Sequence, residues 1–220
     1  MEMTPERWEA TNRYTRDLFG PDDDHLAGLA ADAADAGLPE IAVSHDVGRL
    51  IRILTMMTPA KLAVEVGTLG GYSGTWIARG LAPDGRLITI EAEEKHANFA
   101  RDHFDAAGFA DQVEVRHGPG IEVLSKLADE VGEASVDVGF VDANKDDYPT
   151  YFQLMKPLIK PGGLFIADNV LGSGNRWIDD LSHPQIAATD EMTRAVVADP
   201  NFDAVVLSVR EGVLVARRHT

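Results

Sequence analysis

The chain has 220 residues, of which 45% are apolar and 25% charged, and that length suits one α/β domain with a substantial core. It has no cysteine, which excludes disulfides, thiolate metal ligands and a cysteine nucleophile; with no apolar run fit to span a bilayer or act as a secretory core, a cytoplasmic address is expected. The formal net charge of -16 disfavours phosphate backbones, so nucleic acid is not an expected partner, and the lack of a long apolar run makes a membrane an unexpected one too, although one local lysine can dominate a small pocket.

The first segment, Thr4 to Phe19, carries Trp8, Tyr14, Leu18 and Phe19 and reads as a helix with Thr4 as N-cap and Pro5 at its first position. Gly20-Pro21 and the acidic run from Asp22 to Asp24 break it. Alanine-rich 26–36 reads as a second helix ended by Leu38-Pro39, and Ser44 caps a third over 45–57 with Val47, Leu50, Ile51 and Leu54 on one side. The pattern then changes to short apolar runs at 62–67, 86–91, 112–116, 135–142 and 163–168, separated by helical stretches at 73–81, 93–107, 119–130 and 148–159. A last helix over 183–198 precedes a strand pair, 202–208 and 213–217, joined by Arg210-Glu211-Gly212. Alternating strand and helix predicts right-handed crossovers and a mostly parallel sheet covered on both faces, with one terminal strand antiparallel. No repeat or second core is visible, so one domain over 1–220 with an N-terminal helical cap over 1–57 is expected.

In open α/β sheets, ligands sit beyond the carboxyl ends of the strands. The first strand ends in EVGTLGGYSG, where Gly67 allows close approach of a cofactor and Gly70-Gly71 allow a tight turn into a helix. The spacing is neither GxGxxG nor a phosphate-binding P-loop. Glu91 ends the second strand just over twenty residues later, and a carboxylate there accepts both hydroxyls of a ribose. The turn containing Gly118 can lie against an adenine. On these features the cofactor is NAD or S-adenosylmethionine.

The fourth strand ends in FVDANKDDY and the fifth in LFIADNV. Asp142, Asp168 and Asn169 thus emerge on adjacent strand ends, an oxygen donor set suited to a hard divalent cation: magnesium first, manganese or calcium as alternatives. Lys145, three residues past Asp142, can serve as a base for an acceptor hydroxyl that the cation makes more acidic. Asp146 or Asp147 can orient that lysine or stay solvated.

These phrases together resemble the cation-dependent class I O-methyltransferases, the group of the catechol and caffeoyl-coenzyme A enzymes, over roughly residues 41 to 217. The resemblance implies a Rossmann-like seven-stranded sheet with helices on both faces. It implies S-adenosylmethionine bound by Glu65, Gly67, Gly71, Tyr72, Ser73 and Glu91, with Val43, Asp142 and Ala143 also on the cofactor side. It implies metal ligation by Asp142, Asp168 and Asn169, proton removal by Lys145, an aromatic vicinal diol as acceptor, and a homodimer. The chain departs from many relatives at Asn144, where they have Asp, and this directs Asn144 to the substrate side together with Lys145 and Asn169. It also departs in VLGSGNRW after Asn169, and in Glu211, where relatives often have Asp and a hairpin-turn role is expected here. Arg176 would suit an acidic acceptor and Trp177 an aromatic ring at the entrance. The histidines form no ligand set; His45 is the one closest to the expected pocket, while His96, His103 and His183 read as structural or exposed.

Two other readings share parts of the pattern. An NAD-dependent oxidoreductase would use the first turn and Glu91 but leaves DxxK and the Asp-Asn pair unexplained. A metal-independent methyltransferase would use the acids structurally.

Overall fold

The structure, a computed structural model, describes residues 4–19 and 23–220. The expected helix break at Gly20-Pro21-Asp22 lies outside the described residues.

Seven strands form one sheet: β1 (Leu62–Val66), β2 (Arg86–Glu91), β3 (Val113–His117), β4 (Val136–Val141), β5 (Ile159–Ala167), β8 (Phe202–Leu207) and β9 (Val213–Arg218). Their order is β3-β2-β1-β4-β5-β9-β8. All five residues of LAVEV in β1 are buried, because a central parallel strand is covered on both faces and so reads as a continuous rather than alternating run. Its neighbours β2 and β4 both pair with it in parallel, and the strand order reverses between them. That reversal opens the crevice where such sheets bind ligands. The antiparallel strand is β9, last in sequence but not at the edge: the hairpin inserts it between β5 and the edge strand β8.

The connecting helices are α4 (Tyr72–Ala78), α5 (Glu94–Ala106), α6 (Gly120–Val131), α7 (Tyr148–Met155) and α8 (Pro184–Ala198). Two boundaries differ from the sequence expectation. Helix α7 stops at Met155 rather than near 159, since Pro157 cannot continue it. Strand β5 then begins at Ile159, ahead of Pro161-Gly162-Gly163, where a register shift between Val136 and Val138 accommodates the irregular chain. A two-stranded ribbon, β6 (Gly172–Ser173) and β7 (Arg176–Trp177), was not legible in VLGSGNRW.

The N-terminal cap comprises α1 (Pro5–Phe19), α2 (Asp24–Asp35) and α3 (His45–Met57). Helix α1 buries no residue, so Trp8 and Tyr14 are exposed rather than packed. Helix α2 buries Leu26 and Leu29 against Trp76. Its first turn is fastened to the sheet body by two polar contacts. Asp23, its N-cap, ion-pairs with Arg79, and His25 stacks on His103 of α5 with ring centroids 4.2 Å apart. The two Nε2 atoms are 3.1 Å apart, and Thr75 Oγ1 is also 3.1 Å from His103 Nε2.

This pair carries a pH prediction. Burial, then the facing His25 and Arg79, lowers His103 from 6.5 to about 4. Between those values the unfolded chain takes up a proton that the folded chain refuses, so stability is lost as pH falls through that window. The unfolding midpoint in urea should therefore fall more steeply between pH 7 and 5 in the wild type than in a His103→Gln variant. Parallel pH profiles would exclude His103 as the source.

Candidate active site

The crevice between the ends of β1 and β4 opens into a cavity of about 810 Å³ roofed by α2 and the chain leading into α3. Gly67 explains why the two strand ends can meet there. It has φ of +102°, and a Cβ at this position would overlap the Asp142 carbonyl oxygen and lie 2.7 Å from its carbon. Gly71, at φ +89°, turns the chain into α4, and Ser73 in the first turn donates to the buried Glu65 carboxylate at 2.6 Å. Thr89 Oγ1 donates to the other Glu65 oxygen at 2.6 Å. Burial is the main cause that pushes Glu65 up to about 7, against the lowering effect of those two hydroxyls.

Among the expected cofactor residues, Val43, Gly67, Tyr72, Ser73, Asp142 and Ala143 line the cavity. Glu65 and Gly71 stand behind that wall and shape it. Glu91 accepts from Leu69 N at 2.7 Å and from Glu93 N at 3.0 Å, so it fixes the glycine-rich loop while keeping lone pairs for further donors. Gly118 donates its N–H to Glu91 O at 2.8 Å and continues the same strand-end surface.

On the other side of Gly67, Lys145 sits in a short 3-10 turn (Lys145–Asp147) directly after β4. Its Nζ donates to Asp142 Oδ1 at 2.8 Å and to Tyr148 Oη at 2.7 Å, and Tyr148 in turn donates to the Asp168 carbonyl at 2.9 Å. Tyr148 thus ties the β4 end to the β5 end. Sequence reading passed over it because a tyrosine opening a helix looks like core; its only signal was its position three residues after Lys145.

Asp168 Oδ1 is buried with no hydrogen-bond partner. Burial, then the nearby charge of Asp142, raises the Asp168 carboxyl to about 6. An unpartnered buried carboxylate oxygen beside a second carboxylate is costly unless a cation meets it. Asn169 follows at φ +56°, a left-handed geometry that asparagine tolerates, and lines the cavity with Asn144 and Lys145. Two carboxylates and an amide therefore fit a hard divalent cation. Among the described residues no group of three or more His, Cys, Asp or Glu side chains forms a ligand cluster.

Arg176 and Trp177 do not line this cavity. Both are exposed on β7, where Arg176 bonds Asp180 Oδ2 at 3.1 Å and Trp177 packs over Gly172, whose hypothetical Cβ would lie 2.5 Å from the indole. The lining includes instead Glu40, Gln185, Arg210 and Glu211. His45 also lines the cavity, with Nε2 buried and unpartnered.

The strand order and the inserted antiparallel strand are those of the class I methyltransferase fold. The O-methyltransferase family profile matches residues 19–219, and the chain belongs to that family. It is 37% identical over 207 residues to a catechol O-methyltransferase of Niastella koreensis, covering 94% of this chain and 93% of that one. A catechol O-methyltransferase of Mycobacterium tuberculosis is 40% identical over 190 residues, covering 86% and 84% of the two chains. The structure of an O-methyltransferase from Bacillus cereus in complex with SAH superposes with a TM-score of 0.89 at 34% identity, covering 97% of this chain and 99% of that one. Membership of this family sets aside the oxidoreductase reading. Among the described residues no helix is long and apolar enough to cross a membrane.

Proposed function

We propose that the protein transfers the methyl group of S-adenosylmethionine to one hydroxyl of a small aromatic vicinal diol, with a divalent cation, Mg²⁺ in the simplest case, held by Asp142, Asp168 and Asn169. The observation that carries this reading is the Lys145–Asp142 contact at 2.8 Å beside the orphaned Asp168 Oδ1. The similarity to two catechol O-methyltransferases supports the acceptor class.

When bound, the cofactor supplies an electrophilic methyl and the cation makes an acceptor hydroxyl more acidic. The chain supplies placement and a proton sink. Gly67 and the loop fixed by Glu91 hold one side of the cavity, and Asn144, Lys145 and Asn169 hold the other. In its neutral form, Lys145 Nζ has two N–H groups for Asp142 and Tyr148, and a lone pair left to take the hydroxyl proton. Helix α2 covers one side of this cavity.

The test is turnover of S-adenosylmethionine with a panel of catechols, before and after chelation of divalent ions. Methylation that stops with chelator and returns with Mg²⁺ is expected. Undiminished turnover after complete metal removal would favour the metal-independent mechanism. Silence on every diol would remove the acceptor class while leaving family membership intact.

A further inference from the structure

We infer that Arg210 selects acceptors whose aromatic diol carries a carboxylate, as in a dihydroxybenzoate or dihydroxycinnamate, over neutral or amine-bearing diols. This rests on the acceptor reading above.

The position of Arg210 is set by the turn between β8 and β9. Val170 N donates to Gly212 O at 3.0 Å and Leu171 N donates to Glu211 O at 2.8 Å, so the turn is bonded to the segment that directly follows Asn169. Gly212 leaves no slack: a Cβ there would lie 2.5 Å from Leu171 Cγ. Gly212 N closes the turn onto Val209 O at 2.8 Å. Arg210 holds φ of +48° within it, a left-handed conformation that costs a non-glycine residue about 1 kcal/mol or more. An arginine kept where glycine would be easier directs attention to its side chain.

Arg210 lines the same cavity as Asn144, Lys145 and Asn169. Lys145 and Arg210 are the two lysine or arginine residues in the described lining, and Lys145 is already bonded to Asp142 and Tyr148. Arg210 Nε approaches Glu211 Oε2 at 3.3 Å, while its two terminal nitrogens make no hydrogen bond among the described residues. A guanidinium edge with free N–H groups matches a carboxylate in forked geometry. In a chain of net charge -16, an anionic acceptor needs such a local cation to enter. The opposing features are Glu40, which is exposed, and Glu211, whose buried Oε2 lies 3.3 Å from Arg210 Nε and has no hydrogen-bond partner; an ammonium-bearing acceptor would use these.

The experiment compares kcat/KM for 3,4-dihydroxybenzoate, 4-methylcatechol and dopamine in the wild type, Arg210→Gln and Arg210→Gly. The glycine variant suits the left-handed backbone, so it separates loss of the cation from misfolding. The wild type should prefer the carboxylate over the neutral diol by about tenfold or more, the scale of one charge-assisted hydrogen bond. Both variants should lose that ratio through a raised KM for the carboxylate. Equal use of the three diols, a preference for dopamine, or a ratio unchanged in both variants would overturn this inference alone. Wild-type silence on all three would overturn the acceptor reading, and this inference with it.

Discussion

Lys145→Met should lower kcat by about 10²- to 10⁴-fold on every acceptor, the range expected for loss of a positioned proton acceptor. Methionine keeps most of the buried aliphatic stem, so the change removes Nζ and little volume. Asp142 then loses its 2.8 Å donor and Tyr148 its 2.7 Å donor, but Tyr148 still donates to the Asp168 carbonyl. The fold should therefore persist, which a thermal unfolding scan of the variant checks. Lys145→Arg separates the two roles the side chain could play. Arginine preserves a fixed positive charge beside Asp142 but cannot give up its proton near neutral pH. Turnover should stay low in that variant. Recovery to within a few fold of wild type would show that Lys145 works as a fixed charge, and proton removal would have to be assigned elsewhere.

Gly67→Ala should cost about 2–6 kcal/mol, adding backbone strain to overpacking. Against a typical domain stability of about 5–15 kcal/mol, that loss brings the chain close to unfolding. The physical cause is specific. At φ +102° the new methyl would overlap the backbone carbonyl of Asp142, which has no rotamer through which to escape. Any fraction that folds must push β1 and β4 apart at the point where Asp142 meets Lys145, so its kcat should fall as well. Gly108→Ala is the control: it has φ of +79° but nothing within 4 Å of the added carbon. It should lose only the strain portion. Equal urea midpoints for the two variants would show that the strand ends are free to separate.

The residues that the sequence puts forward for the site share one property. Gly67, Glu91, Asp142, Asp168 and Asn169 each sit at or just beyond the end of an apolar run, and Lys145 is one short turn past the fourth. Where the chain departs from such runs, reading failed. The hairpin ribbon at Gly172–Ser173 and Arg176–Trp177 has no hydrophobic periodicity, and its geometry comes from Trp177 folding over Gly172. The cation for an acidic acceptor was therefore sought at Arg176, which the structure places outside, against Asp180. His103, expected to be structural or exposed, is structural, but its partner His25 lies 78 positions away in sequence.

By itself, then, the sequence determined the doubly wound sheet and the placement of Asp142, Lys145, Asp168 and Asn169 at adjacent strand ends. Parallel strands make this possible, because each delivers its own last residues to one common edge whatever the loops do. Only the tertiary structure decided that Tyr148 bridges two strand ends, that Glu65 braces the glycine-rich loop from behind, and that Arg210 rather than Arg176 lines the cavity. The first two follow from side chains of separate elements meeting at the strand ends, and the last from β9 inserting beside β5 and bonding its turn to the segment after Asn169, long-range pairings that no local pattern encodes.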